Sequence, residues 1–490
     1  MRERPLREIR IFAMAFEVFN SLTRRKEPFR SLEPGVVRMY NCGPTVYSRA
    51  HIGNFRAFLF ADLLRRWLEH SGYRVLQVMN ITDVGHLTDD VGGDGTDRME
   101  AAARKEGRDP WKIAEHYAGL FLQDLRRLGI QPAMVYPRAS DHIPEMVEII
   151  EGLIAKGHAY QTDGNVYFEV RTFPRYGRLS GNRVDETEAG ARVAVREEKR
   201  DPADFALWKS DPQHVMKWAT RFGPHGFPGW HIECSAMARK HLGDRIDIHT
   251  GGEDNVFPHH ECEIAQTESF TGESFATYWM HSKFLQVDGG KMSKSLGNTY
   301  TVDDVQARGF STRALRFALL RGHYRQPLNY TWEGQKDAAS ALASLDDMTL
   351  RLTRIAKAEQ AEGEAAAGTD GGLELVRGAR AAFAAGLDDD LNVAQALPAL
   401  FLLRTAVLEG RFSRAGAVDA LAFVREADRV LGVLEEAPAD LDQRVQGRIA
   451  ERQAARKRRD FKLSDQIRDE LLAEGIVLED TPQGVLWRRK

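Results

Sequence analysis

The sequence predicts an α/β protein built on a parallel sheet, with helical modules gathered towards the C-terminus, and three observations predict it. The first is a strand, turn, helix, strand pattern near the start. Val36-Val37-Arg38-Met39-Tyr40 reads as a strand and Asn41-Cys42-Gly43-Pro44 as a turn. Phe60, Leu63, Leu64, Trp67 and Leu68 then recur at helical spacing, Gly72 stops the helix, and Val75-Leu76-Gln77-Val78-Met79 reads as a second strand. The second observation is the return of strand-like runs far downstream, Ile246-Asp247-Ile248 and Phe284-Leu285-Gln286-Val287. The third is a change to helical periodicity after residue 294, with Leu342, Leu345, Thr349 and Leu352 on one face. In a βαβ unit the helix N-terminus lies at the carboxyl end of the sheet, where its free N–H groups and dipole favour a phosphate.

Composition bounds the reading. The chain has 490 residues, 43% of them hydrophobic and 28% charged, and a formal net charge of −3. That length suggests about three domains. Its 3 cysteines offer no disulfide framework, so a reducing, cytoplasmic setting is expected. No apolar run is long enough to span a membrane, and Ile11 to Phe16 is too short for a signal peptide core. Residues 1–18 are expected to be an extension without an assigned role.

Two short motifs carry charge chemistry. Lys291-Met292-Ser293-Lys294-Ser295 follows Gly289-Gly290 and places two ammonium groups on one loop, where they neutralise charge building on departing phosphates once swung in. Alone, such a run is as readily a surface turn. His51-Ile52-Gly53-Asn54 opens the first helix, which directs His51 to a phosphate and lets adenine lie against backbone at Gly53. Alone, His51 is as readily a cap. His259 and Glu263 are four apart and share a face if helical, and Cys42 and Cys234 are able to join them in a metal site. On spacing alone, buried free thiols are the commoner fate of lone cysteines.

Together the two motifs resemble the HIGH and KMSKS signatures of class I aminoacyl-tRNA synthetases. Tyr40-Asn41-Cys42-Gly43-Pro44-Thr45-Val46-Tyr47, Asn80-Ile81-Thr82-Asp83, Gly229-Trp230-His231-Ile232-Glu233-Cys234-Ser235, His249-Thr250-Gly251-Gly252-Glu253-Asp254 and Phe257-Pro258-His259-His260-Glu261 narrow the resemblance to the cysteinyl-tRNA synthetase family, from about Phe19 to the C-terminus. The resemblance implies a Rossmann-type catalytic domain split between 19–135 and 229–290, around a connective-peptide insertion at 136–228. It further implies a KMSKS loop and stem-contact region at 291–334, a helical bundle at 335–415 with a flexible connection at 358–372, and an anticodon-binding domain at 416–490.

The implied activity is ATP-dependent ligation of L-cysteine to tRNA(Cys) through a cysteinyl-adenylate. His51, Asn54, Lys291 and Lys294 are then catalytic, and Gly53 binds ATP with them. Thr82 and Trp230 line the amino-acid pocket and Asp254 holds the substrate ammonium. Cys42, Cys234, His259 and Glu263 fall on the family's zinc-ligand positions, with one Zn2+ per chain and Mg2+ accompanying ATP; Cys262 matches no ligand position. Zinc prefers soft sulfur, which separates cysteine from serine where a hydrophobic pocket achieves only about 1–3 kcal/mol. No membrane partner is implied, and a monomer is expected.

Other segments are read more openly. Arg192, Arg196, Lys199 and Arg200 alternate with Glu186, Glu188, Glu197 and Glu198 in the insertion. Near the end, Arg448, Arg452, Arg456, Lys457, Arg458, Arg459 and Lys462 face few acids, Glu451 and Asp460, which favours a phosphate-contacting surface. Phe461, Trp487 and Arg488 are candidates for anticodon contact. Two departures from the family pattern are Asp83-Val84-Gly85-His86-Leu87, which leaves His86 without a role, and Asn54 in the fourth position of the first signature. Two rivals stand beside the main reading. One is a ligase on the same scaffold that passes cysteine to an amino-sugar amine, as in mycothiol biosynthesis; the other is a non-catalytic tRNA-binding paralogue.

Overall fold

The structure is a computed structural model, which describes residues 16–84, 97–182, 198–292, 297–357, 371–434, 439–481 and 484–489. Residues 1–15 of the expected extension, His86, the charged run 183–197, Lys294 and the connection 358–370 lie outside the described residues.

The central sheet has four parallel strands, β1 (Val36–Asn41), β2 (Arg74–Met79), β3 (Ile246–Gly252) and β4 (Ala276–Ser282), in the spatial order β4-β3-β1-β2. Beyond β2, parallel bridges from Val78 to Val135 and from Ile81 to Arg138 extend the edge. Val37, Met39, Tyr40, Val78, Ile248 and Met280 are buried, as expected of strands covered on both faces. Helix α1 (Ile52–His70) joins β1 to β2, α2 (Trp230–Leu242) leads into β3, and α3 (Glu261–Thr271) joins β3 to β4. The chain first winds from β1 to β2 and later resumes on the other side of β1, at β3. Loops leaving β1 and β3 therefore diverge and open a crevice at their carboxyl ends. Strand β3 runs to Gly252, beyond the three residues expected from the sequence, and Phe284 precedes its short strand, Leu285–Val287, and stands exposed.

Between the two halves of the sheet lies a separate antiparallel sheet of five strands. In spatial order these are Ala159–Thr162, Asn165–Phe168, Phe205–Ser210, Gly223–Pro228 and Trp218–Thr220. The helix Ile143–Ala155 fastens it to α2 and α3.

Helices Trp332–Lys357, Gly371–Asp388, Pro398–Leu408 and Arg414–Leu431 follow. Gly371 and Gly372, placed by the sequence in a flexible connection, already belong to a helix. The helix Arg414–Leu431, which a boundary at residue 416 separates from the bundle, packs against α1 and two bundle helices through Ala420, Val424, Ala427 and Leu431. Its apolar face continues the main core. Residues 439–489 instead carry their own small core, Val445, Ile449, Ile467, Leu471 and Ile476, from two helices and the hairpin Ile476–Thr481 with Gly484–Arg489.

The basic run of this last unit is less free than its sequence implies. Arg448 pairs with Glu451 and Glu470, and Arg452 and Arg456 both pair with Asp480. Glu470 and Asp480, distant in sequence, fold back onto them, leaving Lys457, Arg458, Arg459, Lys462 and the Phe461 ring as the exposed stretch. Among the described residues, no helix is long and apolar enough to cross a membrane.

Candidate active site and metal centre

Helix α1 begins with a reciprocal cap. His51 Nδ1 accepts from the Asn54 N–H at 3.3 Å, and Asn54 Oδ1 accepts from the His51 N–H at 3.1 Å. Because Nδ1 accepts, a neutral ring carries its proton on Nε2, which makes that nitrogen a donor. The helix end offers fewer free N–H groups than its sequence suggests. The Ile52 N–H is taken by the Tyr300 carbonyl at 2.8 Å and that of Asn54 by His51. Gly53 is hemmed in: a Cβ there meets His51 Nδ1 at 3.0 Å and Met292 Sδ at 3.5 Å.

Met292 lies within the second signature and Tyr300 just beyond it, so both sides of that loop approach the N-terminus of α1. Lys291 lies in the short strand Gly290–Lys291, paired with Gln286. Unread in the sequence is the charge network that secures this junction. Arg49, two residues before His51, bonds the fully buried Asp124 at 3.1 Å and also pairs with Asp303, just past Tyr300. Arg127 ties the same two acids together, at 2.5 and 2.7 Å.

The four predicted metal ligands converge. Cys42 follows β1, Cys234 lies just past the first turn of α2, His259 precedes α3 and Glu263 lies in its first turn. Cys42 Sγ is 3.9 Å from Cys234 Sγ and 3.8 Å from Glu263 Oε1, which is 3.1 Å from His259 Nε2. All four residues are buried, and their donor atoms lie within 4.8 Å of one another. The kink at Phe257 in the turn Val256–His260 lies before His259, and His259 and Glu263, four apart, meet as expected.

Sequence reasoning assigned no role to the histidines around this cluster. His249 Nε2 lies 2.9 Å from Glu263 Oε2, and His260 Nε2 lies 3.2 Å from Cys42 Sγ. With Cys42 and Glu263 they form a second group of the same compactness. His281 backs His260 at 2.8 Å and His231 backs His259 at 3.0 Å. The only sequence signal was the density of histidine in the quoted motifs.

Burial pushes the Cys42 thiol well above its ordinary range and raises Cys234 and Glu263 too. It drives His260 well below, with neighbouring imidazoles adding to the effect, and His281 to about 3. Cys42, Cys234, Glu263, His260 and His281 are thus pressed towards neutrality, which a divalent cation reverses for thiol and carboxyl groups while favouring neutral imidazole. Two thiols, an imidazole and a carboxylate within this spacing are a donor set that fits a metal ion.

Of the predicted substrate residues, two adjoin the cluster. Trp230 stacks on His259 with ring centroids 4.4 Å apart. Thr82 is bridged to Thr45 and donates to Glu233, the neighbour of Cys234, at 2.8 Å. Asp254 stands apart from this buried group, exposed in the turn Glu253–Asn255 after β3, with its carboxylate over Gly252.

Comparison with known proteins agrees with this geometry. The family model described as "tRNA synthetases class I (C) catalytic domain" matches residues 28–340. The chain is 47% identical over 485 residues to the cysteine–tRNA ligase of Symbiobacterium thermophilum, covering 97% of this chain and 100% of that one. It is 43% identical over 494 residues to the Thermus thermophilus cysteine–tRNA ligase, covering 97% and 99%. Among solved structures, methionyl-tRNA synthetase of Mycobacterium tuberculosis bound by methionyl-adenylate shares the fold, with TM-score 0.60 at 15% identity over 81% of this chain and 92% of that one. The likeness to cysteine–tRNA ligases thus runs through both signatures, the thiol-bearing crevice and the helical modules beyond them, and the chain belongs to the cysteine–tRNA ligase family of class I tRNA synthetases.

Proposed function

We propose that this chain joins L-cysteine to the 3′-terminal adenosine of tRNA(Cys) at the expense of ATP. The observation that carries the reading is the juxtaposition, at one crevice of a parallel sheet, of a buried two-thiol donor set with a His51 ring held as an Nε2–H donor.

His51 Nε2–H, kept in that tautomer by the Asn54 cap, donates to a phosphate oxygen of Mg2+-bound ATP. The cysteine carboxylate attacks the α-phosphorus in line; the new P–O bond forms as the bond to the pyrophosphate oxygen breaks, giving cysteinyl-adenylate. Lys291 and Lys294 neutralise the departing pyrophosphate, and Gly53 leaves room for adenine. A ribose hydroxyl of the tRNA, by class the 2′ oxygen, then attacks the activated carbonyl and AMP leaves. No side-chain nucleophile takes part, since orientation and fixed charge supply the acceleration.

Cys42, Cys234, His259 and Glu263 would hold Zn2+, whose preference for soft sulfur distinguishes the substrate thiol from the serine hydroxyl. Trp230 and Thr82 wall the amino-acid pocket, and Asp254 at its rim receives the ammonium. Residues 136–228 act as the connective peptide over the acceptor end, and the region from 291 to 334 contacts the stem. The bundle that follows carries the last unit, whose exposed Lys457, Arg458, Arg459, Phe461 and Lys462 face the anticodon. A cytoplasmic monomer accords with the family and with the three free cysteines.

The test is cysteine-dependent pyrophosphate exchange alongside transfer of labelled cysteine to unfractionated tRNA. Charged tRNA is the expected result. Exchange without charging overturns the tRNA assignment, and neither reaction from metal-loaded protein overturns the enzyme assignment. Cys234→Ser is expected to lose bound zinc, checked by metal analysis of the purified protein; full retention contradicts the ligand assignment.

A further inference from the structure

The side chain of Thr82 has one proton to give and two lone pairs to offer, and which of these faces a ligand depends on its neighbours. Those neighbours are themselves fixed. Asn80 Oδ1 accepts from the Gly43 backbone N–H at 2.8 Å. A backbone N–H only donates, so the amide is oriented with its NH2 towards Thr82, 3.1 Å from Oγ1. Thr82 Oγ1 accepts there, and its own proton goes to Glu233 Oε2 at 2.8 Å. One lone pair remains.

Glu233 is an expensive way to receive one hydroxyl proton. It is 0% exposed, and its other oxygen, Oε1, is buried without a hydrogen-bond partner among the described residues. A buried polar atom left unpaired costs free energy that an apolar residue of similar size avoids. A place in the first turn of α2 does not account for it, because an acid serving the helix dipole works at the surface, whereas this one crosses to another segment of chain. Neither compact metal-donor group contains Glu233. Its neighbour Asp83 is engaged elsewhere, with the Ser140 N–H and hydroxyl at 2.9 and 2.7 Å. The other end of the relay is equally constrained: a Cβ on Gly43 falls 1.7 Å from the Asn80 carbonyl oxygen, so no side chain fits there.

We infer that Glu233 is a positioning residue for the amino acid: by taking the Thr82 proton it commits Thr82 to act as an acceptor, matched to the substrate's α-ammonium group. The carboxyl accepts through Oε2 whether it is ionised or carries a proton on Oε1. Through Asn80 and Gly43, the same relay joins the backbones that bear Cys42 and Cys234, so Thr82, a second ammonium acceptor beside Asp254, and the thiol-recognising end of the pocket share one rigid frame. A hydroxyl free to rotate donates as readily as it accepts, and loses that selectivity. The inference rests on the reading of Thr82 as a wall of the cysteine pocket.

Thr82→Val, Glu233→Gln, Glu233→Leu and the double variant Thr82→Val/Glu233→Leu test it by pyrophosphate exchange. Each is read for KM towards cysteine and towards ATP, bound zinc, and inhibition by 3-mercaptopropionate, which has the thiol and carboxylate of cysteine without the ammonium. Glu233→Leu is expected to raise the cysteine KM by about tenfold to a hundredfold, while the ATP KM, the zinc content and the inhibition constant of 3-mercaptopropionate stay within about twofold. Glu233→Gln, which keeps an oxygen for the Thr82 proton, restores most of the affinity, and the double variant is no worse than Thr82→Val.

Equal weakening of cysteine and 3-mercaptopropionate, loss of zinc, or additive effects in the double variant each overturn the positioning role. If Thr82→Val raises the cysteine KM and Glu233→Leu does not, the inference alone falls. If Thr82→Val leaves it unchanged, the pocket reading falls and the inference with it. Should Glu233→Leu fail to fold, Glu233→Ser, too short to reach Thr82, carries the same comparison.

Discussion

Gly53 sits where stability and chemistry make opposite demands on one turn of helix. Alanine suits a helix better than glycine, by about 0.5–1 kcal/mol in helix interiors and less in a first turn. A Cβ here, however, lands 3.0 Å from His51 Nδ1 and against Met292. Gly53→Ala is therefore expected to leave the thermal midpoint unchanged or slightly raised while slowing pyrophosphate exchange about tenfold or more, a barrier increase of about 1.4 kcal/mol. Exchange at the normal rate contradicts the proposed crowding of the ring. Residues inside contiguous motifs, such as His51, Gly53, Cys42 and His259, were legible because neighbours in sequence identify them. Glu233 was not: its meaning lies in Thr82, 151 residues away, and no periodicity or spacing encodes that distance.

At the scale of elements, the seam between the insertion and the catalytic half holds a titratable joint. His214, between two insertion strands, places Nε2 3.0 Å from Asp97 Oδ2, while Nδ1 faces the Met216 carbonyl at 2.7 Å. Asp97 also caps the helix Arg98–Glu106. Burial alone lowers the pKa of His214, but the hydrogen bond and charge of Asp97, with Glu100 behind, outweigh it and raise the value. A folded pKa above the unfolded value of about 6.5 stabilises fully below that pH and is lost as pH climbs through the folded value. The stability difference between the parent and His214→Gln is thus expected to shrink from pH 6 to pH 8 in paired thermal melts; a gap that widens reverses the assignment. The strands and α1 were legible because alternation and helical spacing survive in a half-buried element. The reach of the bundle was not, because the apolar face of Arg414–Leu431 suits a small terminal core as well as the main one until its partners are known.

The molecule as a whole is held by a buried guanidinium. Arg316, 1% exposed, pairs with Asp62 of α1 at 2.6 Å. It also donates to the carbonyls of Leu431 at 2.6 Å and of Leu128 and Gly129 at 3.1 and 3.2 Å. Four stretches of chain, from the catalytic half, the region after the second signature and the bundle, therefore meet on one side chain. Gly432, at φ +63°, passes so close that its Cβ would lie 3.2 Å from the guanidinium. Removing one partner of a buried pair costs about 3–5 kcal/mol, so Arg316→Leu is expected to lower the first thermal transition by several degrees, and calorimetry checks it. The same long-range architecture sets a timetable for the crevice. Cys42 and Glu263 are 221 residues apart. At about 5–20 residues per second, a ribosome needs roughly ten to forty-five seconds between making the first and the second. For most of that interval Cys42 is a thiol without its partners, on a nascent chain whose sheet still lacks β3 and β4. A metal ion held by the proposed donor set would consequently be captured late in biogenesis, once the two halves of the sheet have joined.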